Sequence, residues 1–393
     1  MSLNQRLQKI QPNAIRSFDA KISQIPDVLK LTLGEPDFNV PDHIKQAAIA
    51  SILADDSHYA PASGTVALRE AVQHFLADRY QLTYEAASQI IITLGATEGI
   101  YDTVHAVVNA DDRVLIPAPN FPLYDPIVTL AGGIPTYVDT SETGFLLTPT
   151  QLQAAIATYG DSLTTIILNY PSNPTGVTYS ADQLAALAEV LKDTDITVIA
   201  DEIYSELVYE ETHQSIAQWL PEQTLVLNGV SKSHAMTGYR IGFVAGPIKL
   251  MNAVGLIHQF AVTSASNPAM AAAAEALGTQ AGKVDTADMR VAYRERRDYL
   301  VPALTALGFD IPHPAGAFYV FAKLPASFGT NDEAFSLALA QTGKVAVIPG
   351  SAFGFGGAGY IRISYAASLA DLELAVARIT NFIRNSELQE EQL

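Results

Sequence analysis

The sequence predicts an α/β fold with a large, mostly parallel mixed sheet sandwiched by helices, together with a smaller α+β domain. Between residues 45 and 280, helical patterns alternate with short runs of almost entirely apolar residues. Such runs are typical of strands that are buried on both faces of a sheet. From about residue 281 the pattern changes to a long helix followed by widely spaced strands, which predicts the second domain.

The elements of the large domain, expected over residues 45–280, follow one another along the chain. Residues 64–79 predict an amphipathic helix, and a strand at 89–95 precedes a second helix at 96–108. The remaining apolar runs predict further strands, at 113–119, 163–171, 196–204, 224–229 and 241–246.

The smaller domain is expected to combine both ends of the chain, residues 1–44 and 281–393. Its helices are predicted at 284–307 and from 368 onward. Its strands are predicted near 317–322, 345–348 and 359–365.

Composition excludes several classes of function. The 393 residues carry a net charge of −18, which opposes binding to nucleic acid or to anionic membranes. The absence of cysteine excludes disulfides, thiolate catalysis, iron–sulfur clusters and cysteine-bound zinc, and the scattered histidines predict no metal site. Neither a signal peptide nor a membrane span is apparent, so we expect a soluble, cytoplasmic protein.

The segment SKSHAMTGYRIGF, residues 231–243, places Lys232 directly after the predicted strand 224–229. Sheets of this class carry their chemistry at the carboxyl ends of their strands. A lysine whose pKa is depressed in an apolar pocket forms an imine with an aldehyde cofactor. Arg240, eight residues on, is a suitable cation for a phosphate monoester. From position alone, an ordinary surface lysine is the alternative interpretation.

The segment ADEIY, residues 200–204, places Asp201 at the end of another predicted strand. Taken alone, Asp201 could be an ordinary helix cap. Beside Lys232, its carboxylate would keep a pyridine ring nitrogen protonated, and the protonated ring withdraws electrons from a carbanion. Tyr204 would then hydrogen-bond the phenolic oxygen of that cofactor.

Two turns supply candidate binding groups. In LGATEG, residues 94–99, unpaired backbone N–H groups at a helix start would attract phosphate, although a plain strand–helix turn is equally compatible. In NYPSNPTG, residues 169–176, Asn173 is either a turn former or a donor to a ring oxygen.

Arg362 lies within the predicted strand GYIRISYA, residues 359–366. A buried arginine needs a partner, which is either a substrate carboxylate held by the planar fork or an acidic side chain of the protein. Gly354, Gly356 and Gly359 spell a dinucleotide-binding pattern, but a strand rather than a helix follows them, so the pattern is rejected.

Eight segments together resemble the class I aminotransferases of fold type I, which depend on pyridoxal 5′-phosphate, and the match extends over nearly the whole chain. In order, they are LGEPDF (33–38), YAPASG (59–64), GATEG (95–99), NFPLY (120–124), YPSNPTG (170–176), DEIYSE (201–206), SKSHAMTGYRIG (231–242) and YIRIS (360–364).

The resemblance implies a role for each matching residue. Lys232 carries the cofactor as a Schiff base and moves the substrate proton. Asp201 pairs with the pyridine nitrogen, and Asn173 and Tyr204 contact the phenolic oxygen. The phosphate is held by Gly95, Ala96, Thr97 and Arg240, and Phe121 stacks on the ring. The substrate carboxylate is bound by Arg362 with Gly34 and Asn173, and the distal pocket is lined by Ile15, Arg16 and Phe18. Many members have a phosphate-binding serine where this chain has Gly229, and Ser231 is the expected substitute.

The resemblance also implies a homodimer in which Tyr59 reaches the phosphate of the neighbouring subunit. The implied reaction is a ping-pong transfer of an amino group from an L-amino acid to a 2-oxo acid, with 2-oxoglutarate as the expected acceptor. The nearest subgroup acts on aromatic amino acids or on N-acetyl-LL-diaminopimelate. Two alternatives stay open: a carbon–sulfur β-lyase of the same fold, and a ligand-sensing regulator, which the short segment before LGEPDF and the acidic charge disfavour.

Overall fold

A seven-stranded sheet lies at the centre of the molecule, in a computed structural model that describes residues 3–390. The strands are β1 (Leu29–Lys30), β2 (Ile90–Thr93), β3 (Arg113–Ala118), β4 (Ile134–Asp139), β5 (Leu163–Asn169), β6 (Thr197–Asp201), β7 (Thr224–Gly229), β8 (Gly242–Ala245), β9 (Tyr319–Lys323), β10 (Val345–Ala346), β11 (Ile348–Pro349) and β12 (Tyr360–Ser364). The helices are α1 (Ala14–Ile22), α2 (Asp42–Leu53), α3 (Val66–Tyr80), α4 (Ala96–Val107), α5 (Tyr124–Ala131), α6 (Pro149–Tyr159), α7 (Ala181–Leu191), α8 (Val230–Ser233), α9 (Ile248–Ala261), α10 (Asn267–Gly278), α11 (Gln280–Thr305), α12 (Asp332–Ala338) and α13 (Leu369–Glu390).

The central sheet has the strand order β2-β8-β7-β6-β5-β3-β4. Strand β8 runs antiparallel to both of its neighbours, and the other pairs are parallel, which confirms the predicted mixed, mostly parallel sheet. Successive residues of β2 point to opposite faces: Ile90 and Ile92 pack against α3 and α10, whereas Ile91 packs against α4 and α9. Helices on both faces explain why the inner strands are nearly all apolar.

The carboxyl-terminal part of the chain forms a second, antiparallel sheet in the order β11-β12-β9. The single strand predicted at 345–348 is instead two strands. Val347 separates β10, which pairs with β1 near the amino terminus, from β11, which pairs with β12. The amino-terminal segment therefore contacts this region as expected, while the predicted domain boundaries at 44/45 and 280/281 remain a prediction.

Strand β4 has no counterpart among the predicted elements. It lies at the edge of the central sheet, most of its residues are at least partly exposed, and it contains Pro135. Because β4 contains a proline and is half-exposed, it lacks the apolar run by which the other strands were predicted. Edge strands tolerate both features. Among residues 3–390, no helix combines the length and hydropathy that crossing a membrane requires.

Candidate active site

A cavity of ≈ 410 Å³ opens at the carboxyl edge of the central sheet. Asp201 is the last residue of β6, and Lys232 lies in α8, directly after β7. Strand β8 runs in the opposite direction, so Arg240 reaches the same edge although it precedes its strand. The topology therefore brings together side chains that are far apart in sequence, as it does in other open α/β sheets.

Lys232 projects into this cavity. Its Nζ donates a hydrogen bond to the carbonyl oxygen of Gly34, at 2.6 Å. Burial of the amine, with Arg240 and Arg362 acting in the same direction, lowers the pKa of Lys232 to about 8, although Glu35 opposes the change. An appreciable fraction of this amine is therefore uncharged and nucleophilic near neutral pH.

Asp201 is a buried carboxylate whose hydrogen bonds come from neutral groups. Its Oδ2 accepts from the hydroxyl of Tyr124 at 2.8 Å, and its Oδ1 accepts from the backbone N–H of Ile203 at 3.3 Å. Burial raises the pKa of Asp201 to about 6, against the lowering effect of the Tyr124 bond. In residues 3–390 no cationic side chain lies within ion-pair distance of Asp201. A ligand cation would supply the missing charge.

The turn from β2 into α4 lies against Arg240. Arg240 Nη2 donates to the carbonyl oxygen of Leu94 at 3.2 Å, and its Nη1 donates to that of Thr237 at 2.9 Å. Gly95 has a φ of +74°, and a Cβ there would lie 2.6 Å from Arg240 Nη2. Because glycine has no Cβ, the guanidinium of Arg240 can lie close to the first N–H groups of α4. Such a group of donors favours the binding of an anion.

Arg362 of β12 also lines the cavity and is only 2% exposed. Its Nη1 donates to Asn173 Oδ1 at 2.8 Å, and its Nη2 donates to the carbonyl oxygen of Thr32 at 2.7 Å. The guanidinium stacks on the ring of Tyr319, 4.5 Å from its centroid. Its Nε–H has no acceptor in the described part of the chain, and the ion pair with an acidic side chain that was the alternative is absent there. The guanidinium of Arg362 therefore still has N–H donors for the carboxylate of a ligand.

The cavity brings together most of the residues named from the sequence. Those that line it are Ile15, Arg16, Gly34, Ala96, Thr97, Phe121, Asn173, Asp201, Tyr204, Ser231, Lys232, Arg240 and Arg362. Gly95 lies beside it, against Arg240.

Three of the positions named from the sequence do not line this cavity. Phe18 is buried in a hydrophobic cluster with Ile22 and Phe321, because it lies on the face of α1 that packs on the protein, so it does not line the cavity. Tyr59 is 91% exposed and lines a separate surface cavity. At Gly229, a Cβ would lie 2.7 Å from the backbone of β8, which explains why this chain has no serine there.

Two tyrosines at the cavity were not singled out from the sequence. Tyr124, which bonds Asp201, was inside the quoted segment NFPLY, but only Phe121 of that segment received a role. Tyr319 shares a 2.7 Å hydrogen bond with the hydroxyl of Tyr204 and supports Arg362. It belongs to an apolar strand, where nothing in the local sequence distinguishes a cavity-lining tyrosine from a core residue.

Helix α1 covers the mouth of the cavity with Arg16 and Asp19 on one face. The hydroxyl of Thr32 donates to Asp19 at 2.8 Å, which holds α1 beside the segment that bonds Arg362. The charge of Asp19 is further compensated by Lys30, at 3.6 Å. No carboxylate of the described residues lies within ion-pair distance of the Arg16 guanidinium, so its charge is uncompensated.

The chemistry of this lining fits pyridoxal 5′-phosphate. Lys232 offers an amine of lowered pKa to an aldehyde, and the unpaired Asp201 offers a carboxylate to a protonated ring nitrogen. The α4 turn and Arg240 offer donors to a phosphate. The orphaned Nε–H of Arg362 is left for a second anion, such as the carboxylate of an amino acid.

Comparison with known proteins agrees with this geometry. The profile of the family "Aminotransferase class I and II" matches residues 26–379. The chain is 40% identical over 381 residues to a probable N-acetyl-LL-diaminopimelate aminotransferase of Bacillus subtilis (strain 168), covering 97% of this chain and 95% of that protein. It is 39% identical over 398 residues to an aspartate aminotransferase of Bacillus sp. (strain YM-2), covering 97% and 99%. The structure of the aspartate aminotransferase from Thermus thermophilus with maleate superimposes with a TM-score of 0.92 at 34% identity, covering 97% and 100%.

Proposed function

Because the chain belongs to the class I and II aminotransferases, which are pyridoxal-phosphate enzymes, we propose that it transfers an amino group from an L-amino acid bearing a second carboxylate to 2-oxoglutarate. The observation that carries this proposal is the shared cavity of Lys232, Asp201 and Arg362, with Arg16 at its mouth. We further propose ping-pong kinetics, in which the donor's keto acid leaves before the acceptor binds.

The bound cofactor supplies an aldehyde that links covalently to an amine, and a ring that withdraws electrons from the substrate Cα. Lys232 would provide the amine at Nζ and, once the substrate amine has displaced it, would act as the general base that moves the proton between the substrate Cα and the former aldehyde carbon of the cofactor. A pKa of about 8 suits both directions of this transfer, because the amine is neither fully protonated nor strongly basic near neutral pH.

The other proposed roles follow from position around the cavity. Asp201, oriented by Tyr124, holds the ring nitrogen in its protonated form. Tyr204, which bonds Tyr319, and Asn173 approach the phenolic oxygen. Gly95, Ala96, Thr97 and Arg240 hold the phosphate, with Ser231 in place of the serine absent at Gly229, and Phe121 stacks on the ring.

Substrate selection would use two cations that line the cavity. Arg362 binds the α-carboxylate with its free N–H groups, and Gly34 lies beside it. Arg16, on the same wall as the apolar Ile15, receives a distal carboxylate. Aspartate, glutamate, 2-oxoglutarate and N-acetyl-LL-diaminopimelate all carry such a group, whereas phenylalanine does not. The unpaired charge of Arg16 therefore favours dicarboxylic substrates over the aromatic ones that the sequence left open.

A keto-acid screen tests the reaction. With glutamate or aspartate as donor, we expect continuous formation of 2-oxo acid only when an acceptor keto acid is present, with about one equivalent per active site formed in its absence, and we expect Lys232→Ala to abolish both. Release of pyruvate and ammonia from cysteine or cystathionine without any acceptor would instead support the β-lyase.

The role of Arg16 has its own test. We expect Arg16→Ala to lower kcat/KM for glutamate by about ten- to a hundredfold, the value of one or two charge-assisted hydrogen bonds, and to leave phenylalanine nearly unchanged. Lys21→Ala is the matched control, because Lys21 lies on the same helix but pairs with Glu333 outside the cavity. An equal loss on both substrates would remove Arg16 from the specificity argument.

We also propose that the active unit is a homodimer in which Tyr59 reaches the neighbouring subunit's phosphate. Tyr59 and Phe260 are 91% and 83% exposed, and Leu256 and Tyr101 are also exposed apolar residues. A surface of this kind favours burial against a second chain. Sedimentation at micromolar concentration would show a dimer, and a monomer that retains full activity would contradict the proposal.

A further inference from the structure

His258 of α9 is a buried imidazole with partners on both of its nitrogens. Its Nδ1 lies 3.0 Å from Asp102 Oδ2 and 3.3 Å from Glu98 Oε1, and its Nε2 lies 2.9 Å from the carbonyl oxygen of Ala62. Because a carbonyl oxygen only accepts, Nε2 carries a proton, and the two carboxylates favour a second proton on Nδ1. Burial lowers the pKa of His258, but its hydrogen bond to Asp102 and the charge of the nearby Glu98 outweigh that effect and raise the pKa to about 10. His258 is therefore an imidazolium between two carboxylates.

Glu98 connects this imidazolium to the turn at the start of α4. One of its oxygens faces His258, and the other accepts a hydrogen bond from the backbone N–H of Leu94. The carbonyl oxygen of the same Leu94 accepts from Arg240 Nη2, at 3.2 Å. Leu94 is thus held from one side by Glu98 and from the other by Arg240, immediately before Gly95.

Without the positive charge of His258, the two carboxylates would have no cation between them. Glu98 and Asp102 are one helical turn apart on α4, and both are buried, with side-chain exposures of 9% and 0%. Two buried carboxylates on adjacent turns repel each other, and Glu98, the less buried of the two, would turn toward solvent. Leu94 N–H would then lose its acceptor, and the turn that orients Gly95 and Arg240 would loosen.

We propose that His258 is a positioning residue for the phosphate-binding turn, acting through Glu98 on Leu94 and through Leu94 on Arg240. The inference rests on the proposed role of Arg240 and the α4 turn in holding the cofactor phosphate. The same ring also bonds Ala62, three residues after Tyr59, so a single side chain fixes both segments that are assigned to phosphate.

The test compares two aldehydes that differ only in the phosphate. Apoprotein of His258→Gln would be titrated with pyridoxal 5′-phosphate and with pyridoxal, and both dissociation constants measured from the absorption spectrum. Glutamine cannot donate in both directions or carry the charge. We expect about tenfold weaker binding of the phosphate form, the value of one charge-assisted hydrogen bond, and a change of less than about twofold for pyridoxal.

His43→Gln is the matched control. His43 also lies between two carboxylates, Glu275 at 2.8 Å and Asp285 at 2.7 Å, but outside the cavity lining. Its replacement removes a comparable imidazole–carboxylate bridge and is expected to change neither dissociation constant. An effect of His43→Gln equal to that of His258→Gln would show that general loss of stability, rather than positioning, is responsible, and would overturn the inference.

The remaining outcomes are also decisive. An equal loss for both aldehydes, or no loss in folded His258→Gln, overturns the positioning role. Arg240→Ala is the reference: if it fails to discriminate between the two aldehydes, the proposed phosphate site itself is wrong. If His258→Gln does not fold, Glu98→Ala decides, because it releases Leu94 N–H directly. Selective weakening of the phosphate form supports the inference, and unchanged affinity refutes it.

Discussion

Replacing Asp201 by asparagine is expected to stabilise the apoprotein above about pH 6. Burial raises the pKa of this carboxyl from its ordinary value of 3.8 to about 6. At about 1.4 kcal/mol per pH unit, keeping it ionised in the folded protein costs about 3 kcal/mol above pH 6. Asparagine avoids this cost. It has one acceptor oxygen, however, and so accepts only one of the two hydrogen bonds that Tyr124 and Ile203 donate to Asp201; the loss of the other lowers the gain in stability by about 1 kcal/mol. The net gain is about 2 kcal/mol.

The sign of the effect depends on pH. Below the ordinary pKa of 3.8 the carboxyl is protonated in both folded and unfolded protein, so ionisation contributes nothing. As pH rises through the interval to about 6, the unfolded chain ionises first and wild-type stability falls. The advantage of Asp201→Asn should therefore appear between these values and be constant at higher pH.

The assay is urea unfolding of both apoproteins at pH 4, 5, 6 and 8, at one protein concentration because assembly would shift the midpoint. Asp102→Asn is the control. Asp102 is equally buried but paired with His258, so its replacement should destabilise the protein at pH 8. A difference between wild type and Asp201→Asn that is independent of pH, or a less stable variant at pH 8, would refute the reasoning.

Two further predictions concern the cavity. The rate at which apoprotein captures the cofactor aldehyde, followed by the cofactor absorption, should rise with pH with a midpoint near pH 8, as Lys232 loses its proton; a midpoint near the ordinary lysine value of 10.5 would contradict this. Gly95→Ala should lose about 1–2 kcal/mol of stability and bind pyridoxal 5′-phosphate at least about tenfold more weakly, because its φ of +74° is strained for alanine and the new Cβ meets Arg240. Thermal unfolding and a cofactor titration check this, and unchanged affinity would argue against the phosphate role of the turn.

The central sheet was predictable because its strands are buried on both faces. Each strand from β5 to β8 reads as a short, nearly all-apolar run, and its boundaries lie within a few residues of those expected. The chemistry was predictable for a related reason. Residues such as Asp201 and Lys232 directly follow such runs, so the sequence itself places them at one edge of the sheet.

What the sequence did not contain was contact between distant side chains. The hydrogen bond from Tyr124 to Asp201 spans 77 residues, and that from Tyr204 to Tyr319 spans 115. Whether Phe18 faces the cavity or the core is decided by how α1 rotates against its neighbours, and a short amphipathic helix leaves that open. The split of residues 345–348 between two sheets likewise depends on which partners pass nearby.

The side chains around the cavity come from two separate sheets. Asp201 ends a strand of the seven-stranded sheet, Lys232 follows one and Arg240 precedes one, whereas Arg362 and Tyr319 belong to the three-stranded sheet. If the proposed roles hold, mutations in the smaller sheet and in α1 are expected to change which amino acids the cavity accepts, while Lys232 and Asp201 keep the positions that the larger sheet gives them. Such a division allows one ancestral scaffold to diversify its metabolic roles, and it identifies the smaller sheet as the place to begin when redesigning this enzyme for a new substrate.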